Sequence, residues 1–370
     1  MAQLTKTVAS APAGKAAPPE PGPQGTTRTK RSLAARVAPI SSLFVWAGII
    51  VLFTLLVPET FPTTANLRII LSNEAISAIV ALGLLLPLAA GRYDLSIGGV
   101  MSISVAVSGS LMANSGWSPA AAVAATLLLG AFIGAINGFV IVRLGVDSFI
   151  ATLGMSSILG ALTYRLLDGQ DIVAGIPAGF KEIGQEKLFT IPLPVFYMAA
   201  IALVLYFILE HTPLGRYLYA TGSNADATRL AGIPVDRYVF LSLIASALLA
   251  SLAGVILTAK IGTAPVDAGM PYLIPAFAAA LLGSTQIKMG RVNVLGTLVA
   301  IYLLATGVKG LELKFPNNPW IDDLFQGVAL IVAVALSVWA AKRKTGSQRS
   351  DALRRKARRR SWRLPTRQTG

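Results

Sequence analysis

The sequence predicts an all-α fold: a polytopic transmembrane helical bundle of about ten spans, between eight and ten, with both termini cytoplasmic. Three observations predict it. Hydrophobic residues make up 54% of the 370 and charged residues only 13%, against roughly 25% charged in a soluble domain. The positive charge is confined to the ends. Residues 1–39 carry six Lys/Arg and one Glu, residues 342–370 carry twelve Lys/Arg and one Asp, and the formal net charge of +15 leaves the middle at −1. Between these tails run long apolar stretches separated by short loops. A neutral apolar body with basic ends puts both ends on the cytoplasmic side.

The first tail, 1–39, holds Pro18, Pro19, Pro21 and Pro23 among Gly, Ala and Thr. Such a composition cannot bury enough apolar surface to order itself. Its length and polarity do not suit a cleaved signal peptide, so Ile40 onward is expected to remain as a span. A spanning helix needs about 20 predominantly apolar residues. The segments 40–57, 66–90, 97–114, 119–144, 148–167, 194–210, 238–258, 271–286, 292–309 and 321–341 fit that need and define a membrane domain over 40–341. The weakest are 97–114 and 271–286. The second is short and holds Pro275, which predicts a bent or broken helix, tolerated only where protein buries it.

An even number of spans returns the chain to its starting side, in agreement with two basic tails. The internal loops do not discriminate: this topology puts seven Lys/Arg inside and seven outside. The orientation therefore rests on the tails. The loop 168–193 falls outside and carries Asp168, Asp171, Glu182 and Glu186. The loop 211–237 falls inside.

Several function classes are excluded or disfavoured. With no cysteine there is no disulfide, thiol catalysis or Cys-based metal site. A lone histidine, His211, rules out a His-cluster metal site. No acid–base constellation of the kind a membrane-embedded enzyme needs is visible. The run Arg354, Arg355, Lys356 and Arg358 to Arg360 reads as a cytoplasmic anchor facing anionic lipid, with no nucleic-acid partner. Gly130, Gly134 and Gly138 recur every four residues and predict close helix–helix approach.

The most structured loop is 211–237, HTPLGRYLYATGSNADATRLAGIPVDR. Ser223-Asn224-Ala225-Asp226 has the form of a capping box, with Ser223 accepting from the backbone at Asp226 and the Asp226 carboxylate reaching back. Ala225 to Ala231 favour helix, Gly232 suits its C-terminus and Pro234 stops it. A short capped helix of about two turns follows. It serves either as a handle for another protein or as a surface helix on lipid headgroups.

Three ordered motifs carry a family resemblance. The loop has Thr212-Pro213-Leu214-Gly215-Arg216, Ala220, Gly222, Asn224, Ala227 and Gly232-Ile233. Upstream stand Gly91-Arg92-Tyr93-Asp94-Leu95-Ser96-Ile97-Gly98, and Asn137-Gly138 followed by Ser148-Phe149-Ile150-Ala151-Thr152-Leu153-Gly154. Together with Pro275 to Gly296, these resemble the permeases of ATP-binding-cassette importers of the ribose/xylose/galactose type, over about 40–341. Arg92 and Tyr93 depart from that family's small and apolar residues, and Gln286 to Arg291 replaces a glycine-rich turn.

The resemblance implies a permease subunit in the bacterial inner membrane that forms the translocation pathway for a monosaccharide or similar small polar solute. It implies three protein partners: an ATP-binding cassette subunit, an extracytoplasmic solute-binding protein and a second permease copy. The chain has no G-x-x-x-x-G-K-[ST] phosphate loop, so ATP would be hydrolysed by the partner and no cofactor is bound here. Coupling to the ATPase would fall to Gly215, Arg216, Gly222, Ser223, Asn224, Asp226, Ala227, Arg229, Gly232 and Ile233. Candidate pathway residues are Glu74, Asp94, Ser96, Asn137 and Thr152.

The residues themselves leave Asp94, Glu74 and Asn137 open to more than one reading. Asp94 is an intramembrane charge, hence a functional suspect, or the cap of the next helix with Ser96 assisting. Glu74 lines a path, or pairs with Arg68, or sits near the interface. Asn137 serves a helix contact or the solute path. The alternative to the importer is a stand-alone secondary transporter. That would want carboxylates deep in spans and paired broken helices, and it would leave the capped loop helix unexplained.

Overall fold

The computed structural model describes residues 41–335 apart from Met289, Pro319 and Ala333. Both basic tails and the last residues of the final expected span lie outside the described residues. The fold is mostly helical. In chain order the helices are α1 Ser41–Leu56, α2 Thr64–Ala89, α3 Ile97–Ala113, α4 Pro119–Val142, α5 Ser148–Leu166, α6 Ala178–Gln185, α7 Leu193–His211, α8 Pro213–Ser223, α9 Ala225–Leu230, α10 Val235–Ile261, α11 Leu273–Gly283 and α12 Val294–Lys314. A further helical run covers 320–332.

Among the described residues, α2, α4, α5, α7, α10 and α12 are long and apolar enough to cross a membrane. Leu43–Leu56, Ile97–Ala113 and Met270–Gly283 are shorter apolar helices. The two weakest expected spans are both in this shorter set. Helix starts follow from local chemistry. Thr63 and Ser118 cap α2 and α4, Asp147 accepts from Phe149 N and Ile150 N to start α5, and Asn293 accepts from Gly296 N to start α12. Each satisfies a backbone N–H that has no partner within its own helix.

Helix α10 sits at the centre and packs on α2, α3 and α4. The three recurring glycines lie on the α4–α10 seam. A Cβ would strike the Ser251 side chain from Gly130, Ile244 and Leu243 O from Gly134, and the Phe240 ring from Gly138. Ser104 and Ser108 of α3 reach Ser251 and Thr258 of α10 at 3.0 and 3.1 Å. Small residues let these backbones close up, and short hydroxyls then bridge them.

Two elements differ from the sequence expectation. The loop 168–193 is not irregular: it contains α6 and a two-stranded hairpin, Lys187–Leu188 with Ile191–Pro192. An all-α description therefore needs that small exception. The segment after α10 is broken more deeply than Pro275 alone predicts. Gly262 is left-handed at φ +69°, and the chain then runs without helix to Gly269, whose N–H donates to Ser102 Oγ at 2.9 Å. A single 3-10 turn, Met270–Tyr272, precedes α11. The backbone freed by this break is held by α3, as buried irregular chain must be.

Candidate functional site

The turn between α2 and α3 is tied to three other helices. Gly91 takes a left-handed φ of +74°, a conformation that costs a side-chain-bearing residue roughly 1–2 kcal/mol. From there three backbone donors find partners in turn. Arg92 N donates to Pro87 O at 2.9 Å, Tyr93 N to Ser148 Oγ at 3.2 Å, and Leu95 N to Thr152 Oγ1 at 2.9 Å. Asp94 Oδ1 accepts from Ser96 N at 3.1 Å and from Ser96 Oγ at 2.6 Å. Its Oδ2 accepts from Ser246 Oγ of α10 at 2.8 Å. Asn137 Nδ2 of α4 donates to Ser96 Oγ at 2.8 Å.

Asp94, Ser96, Asn137 and Thr152 are therefore in one polar knot, at 0, 0, 1 and 0% exposure. A buried carboxylate is tolerable when donors surround it, and here three do. Asp94 binds the residue that precedes α3, while the N-cap position, Ser96, makes no side-chain cap bond of its own. Asn137 sits near the C-terminal end of α4. Sequence reasoning missed Ser148 and Ser246. Ser148 stands inside a quoted motif, whereas Ser246 is one serine among many in an apolar span and gives no signal.

Glu74 lies apart from this knot, fifteen residues before Ala89 on α2, or roughly 22 Å along the helix. No ion pair joins it to Arg68 among the described residues, which corrects that expectation. It lines a cavity of about 340 Å³ with Ser77, Tyr272, Pro275, Phe325 and Gln326. Lys260, the cation whose field it feels, donates to Asn73 Oδ1 at 2.6 Å instead.

The loop 211–237 holds two helices, where the sequence predicts one. Helix α8 ends at Ser223, and Asn224 supplies the cap of α9, accepting from Ala227 N at 3.0 Å. The capping-box assignment to Ser223 is thus corrected by one residue. The Asp226 carboxylate does not reach back either; it faces Arg229 at 3.6 Å. Arg229 also donates to Asp236 at 2.7 Å; that bond raises its pKa. Thr228 Oγ1 donates to Ala220 O and Asn224 O, fastening α9 to α8.

The far end of α9 has the form the sequence predicts. Gly232 is left-handed at φ +81°, with Gly232 N donating to Arg229 O at 2.9 Å and Ile233 N to Thr228 O at 3.2 Å. That pair of bonds is a Schellman ending. Leu230, the last residue of α9, is 91% exposed.

Of the ten loop residues singled out, Arg216, Gly222, Ser223, Asn224, Asp226, Ala227, Arg229 and Gly232 are at the surface, Ile233 is half-buried, and Gly215 is buried. A Cβ on Gly222 would press on Ala89 O and lie 2.8 Å from Gly91 N. The loop thus abuts the turn that holds Asp94. Nearby, Glu210 at the end of α7 accepts from Lys288 and from Arg291 at 2.6 Å. The Arg291 guanidinium lies 4.4 Å over the Tyr219 ring, and Tyr219 OH donates to Val292 O at 2.8 Å. The departure at Gln286 to Arg291 is thereby clamped to α8. Arg92, the other departure, lines a polar recess with Asp147, Arg229 and Asp236.

Such a molecule, several long apolar helices around buried polar knots with a broken helix among them, is of the transport class. A family model described as branched-chain amino acid transport system / permease component matches residues 66–334, and the chain belongs to that family. It is 34% identical over 306 residues to the ribose import permease protein RbsC of Escherichia coli (strain K12), covering 82% of this chain and 93% of that protein. It is 30% identical over 296 residues to the D-allose transport system permease protein AlsC of the same organism, covering 80% and 90%. It is also 30% identical over 323 residues to the probable ABC transporter permease protein y4mJ of Sinorhizobium fredii, covering 86% and 95%. No solved structure matches the chain at a significant level. The chain is a multi-pass membrane protein and the permease subunit of an importer, not a stand-alone transporter.

Proposed function

We propose that this permease carries a monosaccharide across a bacterial inner membrane. The family description and the curated relatives name different solutes, and the sugar relatives cover nearly their full length here. We place about ten spans, between eight and ten, in the membrane domain over 40–341, with both basic tails, 1–39 and 342–370, facing cytoplasmic anionic lipid. The partners are an ATP-binding-cassette subunit, an extracytoplasmic solute-binding protein and a second permease copy. ATP is hydrolysed by the first of these.

The observation that carries this reading is the contact of α8 with the α2–α3 turn. Helix α9, with Asn224 at its cap and Leu230 exposed, is the piece the ATPase grips, along with the flanking surface from Gly215 and Arg216 to Gly232 and Ile233. Nucleotide-driven movement of α9 passes through α8 to Gly91 and so to the knot of Asp94, Ser96, Asn137 and Thr152. That knot then rearranges as a two-state element, opening a pathway that also passes Glu74.

The test is affinity co-purification of the tagged protein from membranes, scored for a bound ATPase, with uptake of labelled D-ribose and D-allose measured in the same cells. The double substitution Asn224→Arg and Gly232→Trp is expected to abolish both while the protein still reaches the membrane. An ATPase retained by that variant would sink the coupling assignment. Absence of sugar uptake in the parent would sink the solute assignment.

A further inference from the structure

Glu74 and the broken helix share a cavity. We propose that this cavity, within a single subunit, is a binding site for one sugar ring; the proposal rests on the monosaccharide reading above. The volume of about 340 Å³ lies at the small end of ligand pockets, which begin near 300 Å³. Its chemistry is mixed as a polyol requires. Glu74 offers acceptor oxygens, Gln326 offers both a donor and an acceptor, and Ser77 offers a hydroxyl. Tyr272 and Phe325 add aromatic faces for the C–H side of a ring.

Two features argue against simple packing space. Glu74 makes no ion pair among the described residues; Ser77 is its hydrogen-bond partner, and Lys260 is directed to Asn73. An intramembrane carboxylate left without a counter-ion is costly to keep. The cavity is also bordered by Pro271 and Pro275, where the chain changes from irregular to helical. Pro275 has no N–H, so the Pro271 carbonyl receives no i→i−4 bond from it. Discontinuous helices beside an intramembrane ionisable group are where transporters commonly hold a solute.

The experiment uses the full-length chain in lipid nanodiscs, with radiolabelled D-ribose and D-allose as probes and binding read by scintillation proximity. Saturable binding of at least one sugar is expected. Glu74→Gln and Gln326→Ala are each expected to weaken the apparent Kd at least tenfold, with the thermal midpoint within a few degrees of the parent. Should either fail to fold, Phe325→Trp supplies a reporter whose emission shifts on sugar addition. Sugar binding that both variants retain overturns the proposal, as does the absence of binding by the parent. Uptake in cells, scored separately, decides the permease reading: uptake that persists in Glu74→Gln leaves that reading standing without this site.

Discussion

Gly91 and Gly222 meet backbone to backbone. A Cβ on Gly91 would sit 3.0 Å from the Gly222 Cα, and the reciprocal atom on Gly222 would lie 2.8 Å from Gly91 N. No side chain intervenes between α8 and the turn of Asp94, so displacement on one side is felt on the other without a compliant spacer.

Gly222→Ala is therefore expected to push the two segments apart. Overpacking of this kind costs about 1–3 kcal/mol. Thermal unfolding of the purified protein should show a lower midpoint, and sugar uptake should fall by more than protein abundance does. Uptake scaling only with abundance would reduce the contact to a packing detail.

Asp94→Asn keeps the volume but replaces one acceptor oxygen with a donor that faces hydroxyl or amide donors. A buried group left in that state costs about 1–3 kcal/mol. Ser246→Ala removes one of three bonds and is expected to cost about 1 kcal/mol. A double-mutant cycle read by denaturation should give non-additive losses for this pair, since both share one bond. Additive losses would contradict the Asp94–Ser246 hydrogen bond.

Asn224→Ala removes the cap of α9, a change worth about 1 kcal/mol of helix stability, and recovery of the ATPase should fall. Ser223→Ala is expected to leave it unaltered, because Ser223 closes α8 and caps nothing. The pair of variants separates the two cap assignments: a larger effect from Ser223 would restore the capping box over Ser223–Asp226.

Glu210→Gln leaves Lys288 and Arg291 without their shared carboxylate. Its cost should fall between about 1 kcal/mol for an exposed pair and about 3 for a buried one, because Glu210 is nearly buried and its partners are not. Hydrogen exchange over 284–293 should quicken.

High pH should loosen the same turn by another route. Burial, with a smaller push from Glu210 against the pull of Arg291, raises the Tyr219 hydroxyl from 10.0 to about 12. Its folded-state pKa is the higher one, so its contribution is complete below pH 10 and lost as pH rises toward 12. Tyr219→Phe should remove that pH dependence of exchange while keeping the ring under Arg291.

Much of this arrangement is legible in the chain. The long apolar runs, the Gly130–Gly138 seam and the Gly232 helix end follow from composition and from residues with narrow backbone demands. Other features are not. The cap moved from Ser223 to Asn224 because both are good capping residues, and only the length of α8 decides between them. The second helix of the loop was hidden by its mixed polarity. Ser246 could not be singled out, since a hydroxyl in a span usually satisfies its own helix, and its partner is 152 residues away. Glu74 stood out as an intramembrane charge, but its cavity is assembled from four separate segments and has no local signature.

On the opposite end of the molecule, the hairpin-bearing loop is fastened to the chain just before the broken helix. Ile172 and Ala264 exchange backbone hydrogen bonds at 3.0 and 2.8 Å, and Val266 N donates to Asp171 Oδ1 at 2.9 Å. Five residues after Ala264 comes Gly269, and then the turn bordering the Glu74 cavity. Asp171 and Ile172 thereby anchor the start of the irregular segment that leads to Met270–Tyr272. One short length of peptide thus joins the outer loop to the lining of the Glu74 cavity.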